Sequence, residues 1–146
     1  MDWKVKHYPE YWGGKKLTYP NVAPESPKFS RSVVVGNLIF ISGCQGQNDE
    51  TVVTETNIFE DQMVIALDKV RKAMEEAGSS MNNIVKTLIL LKNLEDYPRM
   101  RKTELQYYQK YAPFLVENPP ASTFMQVNLA KPEFLVEIDV IGVVSK

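Results

Sequence analysis

The sequence is poor in the residues that most often carry thiol or metal chemistry. It contains one cysteine, Cys44, and one histidine, His7, among 146 residues. A single cysteine excludes an internal disulfide and is typical of a reducing compartment, so we expect a cytoplasmic protein. One cysteine and one histidine also fall short of the usual zinc ligand sets, and we therefore expect no metal.

The sequence also lacks long apolar runs and an excess of either charge. No run approaches the roughly 20 apolar residues that span a bilayer, so no membrane partner is expected. The 17 basic and 18 acidic residues leave a net charge of −1, which argues against nucleic acid as a partner. Phosphate-binding glycine loops and the His-Glu-x-x-His metalloprotease motif are absent. The length is that of one domain with a substantial core.

The first part of the chain differs in composition from the rest. Prolines, the Gly13-Gly14 pair and several aromatic residues are interspersed there without a regular period. We interpret residues 1–26 as an irregular N-terminal extension that lies over the domain or over a neighbouring subunit, and residues 27–146 as the single domain. A partner-binding arm is the alternative for the extension.

Hydrophobic periodicity predicts the elements of the domain. Gly36-Asn37 between two β-rich runs indicates a tight hairpin, after which Gly43 and Gly46 predict a loop. Apolar residues at helical spacing predict a helix that ends at Gly78, with Lys69 among its exposed charges. A second helix should bury Leu105 and Tyr108. In order, the predicted elements are strands at 32–35 and 38–42, a helix at 58–77, a strand at 83–92, a helix at 100–111, and strands at 122–128 and 134–144.

This ββαβαββ order predicts an α+β fold with one sheet and both helices on one face. In the last strand Glu137 and Asp139 share a face with Leu135 and Ile141. A sheet face that combines apolar groups with carboxylates suits a subunit interface better than open water, so we predict a homo-oligomer.

Two groups could carry chemistry. Glu137 and Asp139 lie on one strand face at roughly 6.5 Å, and paired carboxylates can divide acid and base roles. The alternative, that both pair with cations at a surface or interface, stays open. Cys44 lies in the glycine-flanked loop, and its one candidate base, His7, lies in the extension. We interpret Cys44 as a small loop residue rather than a nucleophile.

Together these residues resemble the RidA/YjgF family of reactive-intermediate deaminases, also described as endoribonuclease L-PSP or translation inhibitor proteins. The resemblance covers about residues 27–144. The matching pieces are 29–33, 35–43, Gln62, Ala66-Leu67, Ala77-Gly78, 84–87, Pro120-Ala121 and 136–138.

The resemblance implies a chorismate-mutase-like fold of the bacillus type, assembled as a homotrimer around a barrel core, with small-molecule ligands bound in clefts between subunits. Characterised deaminase members hydrolyse 2-imino acids to 2-keto acids and ammonia. They use no metal or organic cofactor, and none is therefore expected here.

The resemblance also assigns residues to the cleft. Glu137 corresponds to the glutamate that positions water, and Gly43 to a glycine whose backbone contributes to the cleft. Phe29 stands at the position of a tyrosine and Phe124 at that of a cysteine. The arginine of the family's Pro-Ala-Arg-Ser, which binds the substrate carboxylate, is replaced by Ser122.

A hydroxyl cannot supply the charge of a guanidinium, so Ser122 favours a substrate other than the usual 2-imino acids. Arg31 and Lys28 lie near the cleft segment and are candidate replacement cations. The resulting hypothesis is a cleft that binds a small polar metabolite and carries out deaminase-type hydrolysis. The alternative is a non-enzymatic small-molecule sensor or binding protein. A ribonuclease or translation inhibitor is a third reading, against which the single histidine and near-neutral charge argue.

Overall fold

A mixed β-sheet with helices against one face forms the domain in this computed structural model, which describes residues 4–9, 11–12, 15–16 and 29–144. The strands are β1 (Val5–Pro9), β2 (Tyr11–Trp12), β3 (Lys15–Lys16), β4 (Ser30–Val35), β5 (Leu38–Gln45), β6 (Ile84–Leu91), β7 (Ala121–Gln126) and β8 (Val136–Val143). The helices are α1 (Phe59–Glu76), α2 (Tyr97–Tyr111) and α3 (Phe114–Glu117), with short 3-10 turns at Met81–Asn83 and Leu94–Asp96.

Six of the strands form one sheet in the order β1-β4-β5-β8-β6-β7, and β2 pairs with β3 separately. All neighbours in the large sheet are antiparallel except β6 and β7, which run parallel because α2 and α3 connect them. Helix α1 packs against β5, β8 and α2. The predicted α+β, chorismate-mutase-like fold with both main helices on one face is confirmed.

No described element covers the other side of the sheet, which we call the open face. Its central residues follow from the register and the alternation along the strands: Leu38, Phe40, Leu88, Leu90, Glu137, Asp139, Ile141 and Val143. Two of them are large apolar side chains left exposed, Leu38 at 43% and Phe40 at 41%. The open face therefore combines apolar and carboxylate groups, as the sequence predicts.

The hairpin between β4 and β5 forms where the sequence places it. Val35 pairs with Leu38, so Gly36 and Asn37 are the two turn residues. Gly36 has φ 60°, a conformation open to glycine because it has no Cβ. Strand β5 then continues through Gly43 to Gln45, so the predicted loop is wrong for these residues, and the chain leaves the strand at Gly46. A β-bulge between Ile41 and Cys44 accommodates Ser42 and Gly43 without ending the strand.

The expectation of irregular structure near the N-terminus is wrong for β1. Val5–Pro9 pairs antiparallel with β4, with His7 opposite Val33. The outer edge of β4 offers unpaired backbone groups, and a segment of alternating side chains can satisfy them. The rest of residues 1–26 lies largely outside the described residues, and the domain boundary at 26/27 stays a prediction.

Helix α1 supplies most of the helix side of the core. Met63, Val70 and Met74 are 0% exposed and pack with buried residues of the sheet. Gly78, at φ 81°, ends the helix as predicted: its N–H donates to the Glu75 carbonyl, and the next N–H donates to the Met74 carbonyl. These are the two hydrogen bonds of a Schellman motif.

Helix α2 begins earlier than predicted and turns a different face inward. Pro98 lies in its first turn, where a missing N–H costs nothing. Its buried residues are Met100, Thr103, Glu104, Tyr107 and Tyr108. Tyr108 is buried as predicted, but Leu105 is 45% exposed, so that prediction is wrong. The buried face of α2 includes the polar residues Thr103 and Glu104. A prediction from hydrophobicity places polar residues in solvent, so it does not identify this face.

In the described part of the chain, no helix combines the length and apolar character required to cross a membrane.

Candidate functional site

The register of the sheet places two predicted site residues on opposite faces. Ser122 pairs with Thr87 of β6, which is buried under the helices. Glu137 pairs with Leu90 of β6. Because successive residues of a strand point to opposite sides, positions 87 and 90 lie on different faces. Ser122 is therefore on the helix face, at the edge of the sheet, and Glu137 is on the open face.

The carboxylate of Glu137 lies directly over the backbone of Gly43. A Cβ added to Gly43 would stand 2.0 Å from Glu137 Oε1, so only glycine leaves room for the carboxylate there. The Gln45 amide, opposite Glu137 in the strand pair, donates from Nε2 to the same oxygen at 3.1 Å. The β5 bulge and the missing side chain at Gly43 together create this seat. Gly43 and Glu137, both predicted for the site, are in contact.

Burial raises the pKa of the Glu137 carboxyl above its usual value. The hydrogen bond from Gln45 acts in the opposite direction, and the nearby Asp139 adds a smaller upward contribution. Asp139 follows on the same strand face but is exposed. Burial also raises the pKa of Asp139, against a backbone hydrogen bond from Val140. Glu137 is the less exposed of the two and accepts a hydrogen bond from a side chain.

Ser122 contacts a cation, although neither of the two candidates from the sequence. Arg101, on α2, donates from Nη2 to Ser122 Oγ at 3.0 Å. From Nη1 the same guanidinium donates to Glu104 Oε1 at 2.9 Å, and from Nε to Tyr97 Oη at 3.4 Å. Arg101 is 21 residues from Ser122 in the chain, and helix α2 brings it there.

Aromatic rings flank this guanidinium. Phe124, two residues after Ser122 on the same strand face, stacks on Tyr97 with ring centroids 4.2 Å apart and planes 28° apart. The Arg101 guanidinium carbon is 5.4 Å from the Tyr97 ring and 5.7 Å from the Phe124 ring. Both distances are within cation–π range. We call Tyr97, Arg101, Ser122 and Phe124 the arginine cluster.

Arg31 is buried, at 7% exposure, in an interior network. Its Nη1 donates to Cys44 Sγ at 3.2 Å, and its Nη2 lies 3.5 Å from Asp49 Oδ2. Lys69 Nζ lies 2.8 Å from the same carboxylate oxygen, and Gln47 donates to its other oxygen at 3.1 Å. We call Arg31, Asp49 and Lys69 the buried ion network.

The buried ion network contains two residues for which the sequence predicted an exposed position or a place at the substrate, Lys69 and Arg31. Lys69 was expected on the exposed face of its helix, and at 3% exposure that expectation is wrong. The Arg31 guanidinium is engaged by Cys44 and Asp49, and its predicted role at the substrate stays a prediction. Lys28 lies outside the described residues. Phe29 is 53% exposed just before β4.

Cys44 is 0% exposed and packs in the hydrophobic core. Its thiol donates to the Ser42 carbonyl at 3.3 Å. Burial raises the pKa of the thiol to about 11, against the lowering influence of Arg31 and Lys69. The interpretation of Cys44 as a small packing residue agrees with this environment, although it lies in a strand and not in a loop.

A thiol with this pKa should react slowly with Ellman's reagent in the folded protein. At pH 8 a pKa near 11 instead of 9.0 lowers the thiolate fraction by about 100-fold, and burial slows the reaction further. We expect stoichiometric labelling of urea-unfolded protein within seconds and labelling of native protein over hours. Fast labelling of the native protein would contradict this account of Cys44.

Among the described residues, no group of three or more His, Cys, Asp or Glu side chains is arranged to hold a metal ion. The fold brings Glu137 and Gln45 together beside Gly43 on the open face, and it forms the arginine cluster at the sheet edge.

Fold and site define a chorismate-mutase-like α+β domain with a glycine-seated glutamate on the open face of its sheet. The family model described as Endoribonuclease L-PSP matches residues 21–144, so the chain belongs to this family, the RidA/YjgF family. The resemblance drawn from the sequence is confirmed.

Relatives with named activities are similar over most of the chain. The 2-iminobutanoate/2-iminopropanoate deaminase of Dermatophagoides farinae is 29% identical, over 90% of this chain and 98% of its own length. The 3-aminoacrylate deaminase RutC of Acinetobacter baylyi is 27% identical, over 83% of this chain and 87% of its own. A YjgF-family structure from Neisseria meningitidis superimposes with a TM-score of 0.72 at 21% identity, covering 98% of this chain and 97% of that one.

Proposed function

We propose that this protein is a homotrimeric hydrolase of the imine or enamine deaminase type, acting on a small polar metabolite in clefts between identical subunits. The observation that carries the proposal is the Glu137 carboxylate, seated on Gly43, held by Gln45 and raised in pKa by burial. A carboxylate with a raised pKa is a stronger base, which suits the activation of water.

The reaction needs only water and proton transfer. Glu137 accepts a proton from water while the oxygen adds to the carbon of a C=N bond. The proton then passes to the nitrogen and gives a carbinolamine. The hydroxyl proton of this intermediate follows to the same nitrogen through Glu137, the C–N bond breaks, and ammonia leaves as the carbonyl forms. An imine and water thus give a carbonyl compound and ammonia, with no change in oxidation state. An enamine enters the same sequence after protonation at carbon.

The two-sided geometry supports a site shared between subunits. In one chain Glu137 and Ser122 lie on opposite faces of the sheet, so a single small ligand cannot contact both. Two copies can bring these residues together if the edge strand β7 of one subunit meets the open face of another. The exposed apolar residues Leu38 and Phe40 are the kind of surface that such an assembly would bury.

The names of the relatives support the reaction class. By their names, one of the deaminases described above acts on 2-iminobutanoate and 2-iminopropanoate, and the other acts on 3-aminoacrylate. The first two are imines and the third is an enamine, and all three are short carboxylic acids. Because Ser122 occupies the arginine position, we expect this protein to bind the anionic group of its substrate through a different residue.

Turnover is tested with substrates made in place. A pyridoxal-dependent threonine or serine dehydratase generates 2-iminobutanoate or 2-aminoacrylate, and 3-aminoacrylate is the third candidate. The protein should accelerate ammonia release from at least one of them, and Glu137→Gln should lose about 100-fold or more of that activity. Because the pKa of Glu137 is raised, the acid limb of the pH profile should lie above 4.5.

The matched control is Asp139→Asn, which removes the neighbouring exposed carboxylate and should keep most of the activity. Failure of the wild-type protein to accelerate all three reactions would reject the proposal. Thermal stabilisation by a ligand that is never converted would instead favour the non-enzymatic binding protein.

The shared site is tested by mixing two inactive variants. Glu137→Gln and Ser122→Trp, which blocks the sheet-edge side, are unfolded and refolded together. Random assembly should restore roughly a quarter of the wild-type sites, because an intact site needs Ser122 from one variant and Glu137 from the other. A mixture that stays inactive while light scattering shows trimers would contradict a site shared between subunits.

A further inference from the structure

The arginine cluster places a guanidinium beside the hydroxyl that stands where the family has an arginine. We propose that Arg101, carried on helix α2, supplies the carboxylate-binding cation of this protein, so that the site recognises a small 2-oxo, 2-imino or 2-enamino acid through a residue from a different element. The inference rests on the proposed function, since it concerns the substrate of the same cleft.

The guanidinium of Arg101 lies at the edge of the sheet, beside Ser122. Arg101 Nη2 is 3.0 Å from Ser122 Oγ, so the guanidinium reaches the space at the sheet edge that a longer side chain at position 122 would enter. Every residue of β7 is exposed, including Ser122 and Phe124. A ligand can therefore approach the guanidinium from the side of the edge strand.

The guanidinium of Arg101 has hydrogen-bond donors that its partners among the described residues do not use. A guanidinium carries five N–H donors in a planar fork, and carboxylates bind such a fork through two parallel hydrogen bonds. In the described part of the chain, Arg101 uses one donor of each nitrogen for Tyr97, Glu104 and Ser122. One N–H on each terminal nitrogen remains for a ligand. The Ser122 hydroxyl can itself donate to a carboxylate oxygen.

The cation of the Arg101–Glu104 pair lies nearer the surface than its carboxylate partner. The Arg101 side chain is 31% exposed, whereas that of its carboxylate partner Glu104 is 11% exposed. An incoming anion thus meets the guanidinium first, with Glu104 behind it. The rings of Tyr97 and Phe124 flank the guanidinium and present an apolar surface beside it. A planar acid with a short apolar chain matches both features.

The test compares 2-oxobutanoate with its uncharged amide, 2-oxobutanamide, by isothermal titration calorimetry. Wild-type protein should bind the acid and discriminate against the amide. Arg101→Gln should weaken binding of the acid by about 10- to 100-fold and abolish the discrimination. Arg99→Gln is the matched control, because Arg99 lies on the same helix but pairs with Glu60 and Asp96, and it should bind as wild type does.

A rescue variant separates lost charge from lost structure. Arg101→Gln/Ser122→Arg returns a guanidinium to the edge strand and should regain most of the affinity for the acid. Arg101→Gln/Glu104→Gln removes the carboxylate that the single variant leaves without its partner. If the single variant is unstable, this double variant should fold normally and still fail to bind the acid.

The outcomes distinguish this inference from the proposed function. Equal binding of the acid by wild type and Arg101→Gln, or no preference of the wild type for acid over amide, overturns the role of Arg101. If the wild type discriminates through Arg101 but turns over no imine or enamine, the deaminase proposal fails and the carboxylate site stands.

Discussion

Replacement of Asp49 by asparagine should destabilise the protein by about 3–5 kcal/mol, because it removes the carboxylate that lies between two buried cations. Asp49 is 5% exposed and is the carboxylate of the buried ion network, within 2.8 Å of Lys69 Nζ and 3.5 Å of Arg31 Nη2. Without it two buried cations face each other. Urea unfolding at pH 7, followed by fluorescence, measures the loss.

Lys69→Met is the control that tests the charge argument. On its own it removes the cation closest to Asp49 and should also destabilise the protein, but by less than Asp49→Asn, because Arg31 remains beside the carboxylate. The double variant Asp49→Asn/Lys69→Met should be more stable than Asp49→Asn alone. Equal stability of that double variant and the single variant would contradict the role assigned to charge.

The buried ion network also predicts how the stability of the protein changes with pH. Burial lowers the pKa of Lys69 below its usual 10.5, more than Asp49 raises it. The folded protein therefore binds this proton less tightly than the unfolded chain does, so the stability contribution of Lys69 increases as the pH rises towards 10.5. In Asp49→Asn the destabilisation should be smaller at pH 10 than at pH 7, because Lys69 can lose its charge.

The order of strands and helices could be predicted from the sequence, because the hydrophobic periodicity and the residues at the turns indicate the same boundaries between elements. Gly36-Asn37 lies between two apolar runs and Gly78 follows a helical stripe, and both positions behave as predicted. Strand β1 was missed because its residues gain a partner only when β4 leaves an open edge. Pairing across 26 residues, as between His7 and Val33, leaves no signal within β1 itself.

The two halves of the candidate site differ in how far sequence could predict them. Glu137 and Gly43 could be identified through the family resemblance, and the structure brings them into contact. Arg101 could not, because it reaches Ser122 from a helix rather than through local sequence. Its partner Glu104 reads as an exposed charge, yet it is buried on the inward face of α2.

Lys69 and Gln62 show the same difficulty on helix α1. Both lie at spacings that match the apolar stripe, yet a hydrophobicity pattern assigns polar residues to solvent. Each is instead satisfied by partners distant in sequence: Asp49 for Lys69, and the segment before β8 for Gln62. These partners lie in loops, whose positions depend on the folded structure. Buried polar side chains are therefore harder to predict from the sequence than the apolar core.

Gln62→Ala should have a comparably large effect, a loss of about 3–5 kcal/mol, because one buried amide satisfies three backbone groups. Its Nε2 donates to the carbonyls of Thr56 and Glu133 at 2.9 and 3.0 Å, and its Oε1 accepts the Leu135 N–H at 2.9 Å. Gln62 is 0% exposed, so water cannot replace these bonds without opening the structure. Denaturant unfolding measures the total.

Amide hydrogen exchange locates the effect. The Leu135 N–H, two residues before Glu137, should lose protection in Gln62→Ala, since its acceptor is removed. Asn118→Ala is the matched control: it also deletes a side-chain amide bonded to a backbone carbonyl, but on the surface, and should cost less than about 1 kcal/mol. Unchanged protection at Leu135 would show that Gln62 does not anchor the entry to β8. Because Glu137 follows directly in that strand, loss of the anchor should also lower turnover, even where the variant remains folded.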